Sequence, residues 1–289
     1  MAESAKEAGH EAVSICPRGY SDGRAMPSDH DYPPSGEAMS WLAASDVIIC
    51  FQGRPYDEKW YPRDKATVVV YVSQPLPRHI SRAAERDWPW AVDGQYHTRL
   101  YPGCVAVPEL WPLKHAWLTP AVKPDTVLVA YSPSNTWQRG WDCKGFDPTV
   151  SAMRESGAEI DIITQRPLAE CLARKARAHI VIDECMTGSY HANSLQGLAL
   201  GCVVVNNCDA LSKANIIRMT DHEPPFVVTA IANLADKLKS LVRLGPARLR
   251  EIGAINRQWA EAVWDARRLF DAHYFPLIRA AKENECRKR

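Results

Sequence analysis

The sequence has no Cys-x-x-Cys pair, no excess of either charge, no long apolar run and no internal repeat. Each absence removes a class of protein. The nine cysteines, at 16, 50, 104, 143, 171, 185, 202, 208 and 286, are odd in number and scattered. That argues against a zinc site of paired cysteines and against a secreted disulfide framework. Several sit in apolar runs, as in Ile49-Cys50 and Gly201-Cys202-Val203, where a free thiol serves as a small hydrophobe. The cysteine usage therefore points to a reducing, cytoplasmic compartment. Residues 1–8 lack the apolar core of a signal peptide. No uninterrupted apolar run reaches the ~18 residues needed to span a bilayer, so stable membrane insertion is not expected. Lys plus Arg total 35 against 34 Asp plus Glu, a net charge of +1, which excludes a basic coat over the whole surface.

What is present is an ordinary globular composition, 46% hydrophobic and 24% charged, over a length that suits about two domains. The charge is uneven. Residues 237–289 hold 13 Lys/Arg against 6 Asp/Glu, a net of +7, whereas residues 1–72 hold 7 against 11, a net of −4.

The chain opens on helix formers at 2–8, with Gly9 as a C-cap. A strand is predicted at 12–16, then a loop rich in Pro, Gly, Ser and Asp at 17–36. A short helix follows at 37–44. The runs at 47–51 and 67–72 are continuously apolar, as buried parallel strands are. Residues 73–120 read as irregular and proline-rich, with one short strand near 105–108; Trp60, Trp88, Trp90, Trp111 and Trp117 cluster over 60–120.

After Lys123-Pro124-Asp125 the pattern restarts. Strands at 126–130, 160–163, 180–182 and 203–205 alternate with helices at 148–156, 168–178 and 194–200. This alternation is the mark of a doubly wound α/β sheet. The C-terminus reads as helical over 234–244 and 246–282. The expectation is two Rossmann-like domains, 1–120 and 121–265, followed by a terminal helix at 266–289 that returns toward the first. Ligands of such sheets bind at the carboxyl ends of the strands, so the loops after Ala130, Ile182 and Val205 should line one site.

Two of those loops carry chemistry. The first, residues 131–147, offers hydroxyl and amide groups at Ser134 and Asn135 and cations at Arg139 and Lys144, suited to phosphate oxygens. Its plain alternative is a solvated loop with a chance basic pair. The second, residues 183–205, runs from a strand through Tyr190-His191 into a helix expected to open near Asn193 or Ser194. Asn or Ser suits an N-cap, and the free amides and positive dipole end of a helix start attract anions. A capped helix with a glycine stop at Gly201 explains Asn193 but not Tyr190-His191 just before it.

The ordered set Ser132-Pro133-Ser134-Asn135, Lys144-Gly145 with Asp147, Gly188-Ser189-Tyr190-His191 and Leu195-Gln196-Gly197-Leu198-Ala199-Leu200-Gly201 resembles the sugar-nucleotide domain of retaining GT-B glycosyltransferases. Pro108-Glu109-Leu110-Trp111-Pro112-Leu113 is similar to that family's approach to its interdomain linker, and the C-terminal helices to its terminal crossover. The resemblance covers roughly 120–275 well and 1–119 weakly. The first strand of the family's N-domain and its glycine loop are missing, so the N-domain looks abbreviated: either this form is truncated or another segment fills the sheet centre.

The resemblance implies an enzyme moving a sugar from a nucleoside diphosphate donor, most simply a UDP-sugar, to a hydroxyl with retention, with no bound cofactor and no metal. Lys144 and Arg139 would neutralise the diphosphate, and His191 would donate to the donor sugar or phosphate. The amides near Asn193 and Ser194 would hold phosphate. Ser134, Asn135 and Tyr190 would border the donor. Gln196 stands where the family has a glutamate on the ribose, and Gly188 where it has a second glutamate near the sugar. On the acceptor side, Gln52, Arg78 and His79 follow N-domain strands and are expected to face the cleft, Arg78 toward phosphate and His79 toward the acceptor; a proline-rich surface loop is the plain alternative for each. Asp29-His30-Asp31 is the nearest approach to a metal-binding run, but it lies in the predicted loop and reads as solvated.

The acceptor has two readings: a small molecule, lipid or cell-surface glycan, or 5-hydroxymethylcytosine in DNA, as in virus-type DNA glycosyltransferases, with the host cytoplasm as compartment if the chain is viral. The second leans on the +7 stretch and on Arg82, Arg86, Arg99, Trp88, Trp90, Tyr96 and His97, since aromatics stack on extruded bases and arginines hold phosphates. The plain alternative makes the tryptophans core and the charges a solvated face. A non-catalytic sugar-nucleotide-binding protein is the rival class. Oligomeric state is not legible.

Overall fold

The computed structural model describes residues 2–17, 29–32, 34–51, 59–62, 64–71, 84–101, 104–111, 113, 116–133, 142 and 144–288. The chain forms two compact α/β units. One contains Met1–Ser21, Pro27–Leu110 and Ala266–Arg289, and the other is built on Trp111–Asp265.

In the first unit, Ile15–Pro17 (β1) pairs in parallel with His30–Tyr32 (β2) as a separate two-stranded ladder. The Asp29-His30-Asp31 run is thus partly strand rather than open loop. The Asp29 carboxylate takes the Ser14 amide at 2.7 Å and the Ser14 hydroxyl at 2.9 Å, which ties the two strands together. A helix at Glu37–Ala44 leads to a parallel sheet of Val47–Phe51 (β3), Ala66–Tyr71 (β4), Trp90–Asp93 (β5) and Val105–Val107 (β6), in that spatial order. β5 falls within the stretch read as irregular; only four residues long and flanked by Pro89, it gives little periodicity. β4 is buried at every position, as expected of an interior parallel strand of β-branched residues. On one face Tyr71 stacks on Tyr101 at 5.1 Å and meets the edge of Trp90 at 5.9 Å. Trp88 and Tyr61 complete that cluster.

The C-terminal segment belongs to this unit. The helix Ala266–Leu269 passes through a π-helical turn, Phe270–Tyr274, into Phe275–Lys288, which packs on β4. His10 lies 5.6 Å from both the Phe270 and Phe275 rings. The Tyr274 hydroxyl donates to the Pro108 carbonyl at 2.7 Å, and Asn284 donates to the Asp87 carbonyl at 2.7 Å.

The second unit holds Leu128–Tyr131 (β7), Glu159–Ile162 (β8), Ile180–Ile182 (β9), Val203–Asn206 (β10) and Val227–Val228 (β11), all parallel, in the order β11-β10-β9-β7-β8. Helices at Phe146–Glu155, Leu168–Arg177, Ala192–Ala199, Ala210–Thr220, Leu234–Val242 and Gly245–Val263 accompany it. β9 and β10 are wholly buried. β8, at the edge, alternates acids with isoleucines, and its Asp161 is held by Arg174; charge on an edge strand discourages further pairing. Lys123 reaches the carbonyls of Ala176, Ala178 and Leu200 and so closes the C-termini of two helices. The order reverses at β7: the next strand joins one side and the one after joins the other. Such a reversal opens a crevice at the carboxyl ends of the two strands that flank it.

The helix Ala192–Ala199 lies close on its neighbours. A Cβ on Gly197 would stand 2.7 Å from Val204, and one on Gly253 only 2.1 Å from the Gly201 carbonyl oxygen. Gly253→Ala must therefore separate two backbones, and it should cost about 3 kcal/mol, as overpacking does, measured as a drop in the urea midpoint. A different test concerns the first unit. Burial pushes the Asp93 carboxyl well above its ordinary value, and the neighbouring Glu109 adds to the rise, while a hydrogen bond from Gln95 opposes it. With its folded value raised, this group supports the fold fully at low pH and progressively less as pH climbs from about 4 through the raised value. Asp93→Asn should flatten that decline, giving a higher melting temperature than the parent at pH 8 and little difference at pH 4.

Candidate functional site

The reversal point places the ends of β7 and β9 side by side, and their following residues meet there. The Ser132 hydroxyl donates to Asn193 Oδ1 at 3.0 Å, and Asn193 Nδ2 donates to the Ile182 carbonyl at 2.9 Å. One amide side chain thus bridges the two loops. Asn193 is not the helix cap expected of it. The helix opens at Ala192 behind His191, which is extended and makes no side-chain cap bond. The Ser194 amide bonds to the His191 carbonyl at 2.8 Å, which leaves Ala192 and Asn193 as the amides that open the helix.

Lys144 reaches the same place from the other loop, and its backbone is clamped on both sides. The Tyr131 hydroxyl donates to its carbonyl at 2.8 Å, and its amide donates to Asp142 Oδ1 at 3.2 Å. Asp142 also accepts from the Phe146 amide and so starts the helix Phe146–Glu155. Gly145 between them holds φ of 62°, and a Cβ there would stand 2.9 Å from Met186 in the loop after β9. This is a position where only glycine fits without strain. So fixed, Lys144 carries its Nζ to 3.2 Å from His191 Nε2 and 3.5 Å from Nδ1.

Beneath His191 lies Asp183, which directly follows β9 and is 3% exposed. Its Oδ2 accepts from the His191 amide at 2.7 Å and the Ser194 hydroxyl at 2.7 Å, and it stands 3.4 Å from His191 Nδ1. Burial by itself raises the Asp183 carboxyl, but the His191 and Lys144 charges and the hydrogen bonds outweigh it and hold the group well below the usual carboxylate range. The next residue, Glu184, accepts from the amides of Met186 and Thr187 and from the Thr187 hydroxyl, and so shapes the turn. Sequence reasoning passed over both acids. Their signal was the position directly after a buried strand.

Of the residues singled out from the sequence, Lys144, His191 and Asn193 converge here, with His191 about a quarter exposed. Ser194 is buried beneath them and holds Asp183. Tyr190 points the other way, into a packing of Phe226 and Trp264. Gln196 is 5% exposed, and its Oε1 accepts from the buried Lys175 ammonium at 2.7 Å; burial lowers the affinity of that amine for its proton. Gln52, Arg78, His79, Ser134, Asn135 and Arg139 lie outside the described residues, as does Arg82. Trp88 is 8% exposed within the first unit's core, with the Arg86 guanidinium 5.7 Å from the ring. Among the described residues no group of three or more His, Cys, Asp or Glu could hold a metal ion. No described helix is long and apolar enough to cross a membrane.

The chain is similar in structure to solved glycosyltransferases. A glycosyltransferase from Rickettsia africae ESF-5 matches with a TM-score of 0.60 at 10% identity, over 96% of this chain and 92% of that one. AviGT4, a glycosyltransferase involved in avilamycin A biosynthesis, matches with a TM-score of 0.53 at 14% identity, over 88% and 80%. This is the GT-B fold. S. aureus TarM, solved with UDP, also matches, with a TM-score of 0.55 at 11% identity over 80% of this chain. The chain spans about half of TarM, 55% of its length. No protein-family model and no curated protein matches the sequence.

In this GT-B chain Gly188 is fixed by backbone geometry. It holds φ of 76°, and a Cβ there would stand 2.9 Å from Asp209 Oδ2. Asp209 accepts from the Ser212 amide and caps the helix Ala210–Thr220. Gly188→Glu should therefore destabilise the fold by about 2 kcal/mol through left-handed strain and a second carboxylate beside Asp209. Chemical denaturation would show it as a lower midpoint with an unchanged slope.

Proposed function

We propose that this chain is a glycosyltransferase that moves a sugar from a nucleoside diphosphate, most simply a UDP-sugar, to an acceptor hydroxyl. One observation carries the reading: the Lys144 ammonium and the His191 imidazole meet over a helix start at the β7/β9 reversal point. The GT-B fold supports it, as does UDP in the related TarM structure.

The bond from the anomeric carbon to the phosphate oxygen breaks, and negative charge collects on the diphosphate. Lys144, His191 and the amides of Ala192 and Asn193 face that charge. Donors held in place before the reaction stabilise a developing anion without reorganising. Arg139 adds a second cation in this reading, and Ser134 and Asn135 border the donor. Gln196, its oxygen committed to Lys175, is left with amide hydrogens to offer the ribose. Retention of configuration and freedom from a metal ion follow from the family resemblance and belong to the same proposal.

The acceptor is a hydroxyl of a small molecule, lipid or glycan. Two tryptophans that would suit a nucleic acid, Trp88 and Trp90, pack within the first unit. Much of the C-terminal charge is paired: Arg248 with Glu251, Arg257 with Glu261 and Lys282 with Asp46. A hydroxymethylated base in DNA is the second reading. A panel of sugar nucleotides offered with glycans, polyols and DNA containing 5-hydroxymethylcytosine, read by mass spectrometry, distinguishes the two. A hexose-sized gain on the modified base alone would establish DNA.

Lys144→Ala should lower turnover by about 2–4 kcal/mol of barrier, the loss of one oxyanion donor, with donor affinity reduced less. Turnover within twofold of the parent refutes the assignment. Turnover of the parent should survive chelation of divalent metals, and nucleoside diphosphate release with no acceptor should remain slow but measurable. Tight binding with no release from any donor marks a binding protein instead.

A further inference from the structure

Asp183 places a negative charge directly behind the start of the helix Ala192–Ala199. Its Oδ2 accepts from the amide of His191, the residue before the helix, at 2.7 Å, and from the hydroxyl of Ser194 in the first turn, also at 2.7 Å. The second bond has a fixed direction. Asn206 Oδ1 accepts from the Cys208 amide at 3.0 Å, so Asn206 Nδ2 donates to the Ser194 hydroxyl oxygen at 2.9 Å, and the hydroxyl hydrogen is left for Asp183. The carboxylate is thus pinned from two sides. It is ionised although buried, because His191, Lys144 and these bonds hold its carboxyl low.

That charge opposes the ligand. The open end of a helix favours negative charge, and a diphosphate at the amides of Ala192 and Asn193 meets a like charge already seated behind them. Lys144, which neutralises the ligand in this reading, already acts on Asp183. Asp142, the other acid beside Lys144, holds the Lys144 and Phe146 amides from a half-exposed position where water screens it. Repulsion between like charges grows with the charge on the ligand and is strongest where water is excluded. The two ends of a transfer reaction differ in that charge. A diphosphate esterified to a sugar carries two negative charges. When the anomeric bond breaks, its electron pair stays on the phosphate oxygen, and the free nucleoside diphosphate carries a third charge above about pH 6.

We propose that Asp183 is a specificity-determining residue, a fixed negative charge behind the helix start that lets the site hold a sugar-bearing diphosphate and release the more highly charged free diphosphate. The inference rests on the diphosphate reading of the site. The repulsion falls on every added negative charge, the one that develops during bond breaking included, and departure of the product is the step it favours.

The test titrates the whole protein at pH 8 with uridine, UMP and UDP, which share a nucleoside and differ in charge. Asp183→Asn keeps an oxygen for the His191 amide and the Ser194 hydroxyl and removes the charge. UDP should bind this variant about tenfold more tightly than the parent, the effect of one unit charge in a partly screened site, and should dissociate more slowly. UMP should gain less, and uridine should bind parent and variant alike. Ser194→Ala, which removes a bond to Asp183 but leaves the charge, should give UDP no gain. Should Asp183→Asn fail to fold, Asp183→Ser serves for the same comparison. UDP affinity unchanged or weaker in the folded, charge-free variant overturns the inference. So does an equal gain for all three ligands, which marks a change of shape rather than of charge. UDP that binds neither the folded parent nor the folded variant overturns the diphosphate reading of the site itself.

Discussion

A carboxylate sealed behind the end of a parallel strand, as Asp183 is behind β9, has lost its water and must collect every donor within reach. That requirement organises the cleft end of the second unit. It sets the backbone of His191 before the helix begins, it orients Ser194 inside the first turn, and through Ser194 it draws in Asn206 from β10. Three elements that the chain makes separately are thereby held in one register. The exposed part of the arrangement, Lys144 with His191, rests on this buried part, and their proximity depends on it.

The first unit meets the same difficulty at the carboxyl end of β5 in the opposite way. Asp93 and Glu109 stand near one another, with Gln95 donating to Glu109 at 2.6 Å. There burial and the neighbouring Glu109 push the Asp93 carboxyl upward, whereas the charges and hydrogen bonds around Asp183 hold its carboxyl low. The two cases show how the neighbouring charge, rather than burial alone, decides the state of a buried acid.

The sequence reveals the second unit more fully than the first. Its strands are uninterrupted Val and Ile runs separated by helices of ordinary length, and the loop ends carry polar residues in dense groups. Lys144, His191 and Asn193 were legible because each stands in a loop at a strand's carboxyl end. Asp183 and Ser194 were not seen as partners, because eleven positions separate them and the contact exists only once the helix has folded back over β9. Tyr190 looked like a site residue from its place beside His191, yet backbone direction alternates along an extended segment, and its ring falls inward on Trp264. β5 escaped notice because four residues beside a proline carry too little pattern, and the helix Ala210–Thr220 because its apolar residues are spread around it, Leu211 and Ile217 lying exposed, rather than gathered on one face. The expected single C-terminal helix is instead interrupted at Trp264 and at the π turn, where a large buried indole and a buried phenol had to be accommodated.

The route of the chain sets an order of assembly. The described residues of the second unit all lie between Trp111 and Asp265, whereas the first is completed by Ala266–Arg289. During synthesis the second unit can therefore close its sheet as soon as Asp265 has emerged. The first must wait, with one face of β4 uncovered, until the last helix arrives. Domains emerging from the ribosome generally fold as units in the order they are made; here the earlier-made sheet is the later one finished. The stretch from Val68 to Val70, apolar and of high β propensity, is thus the segment most in need of protection in the newborn chain.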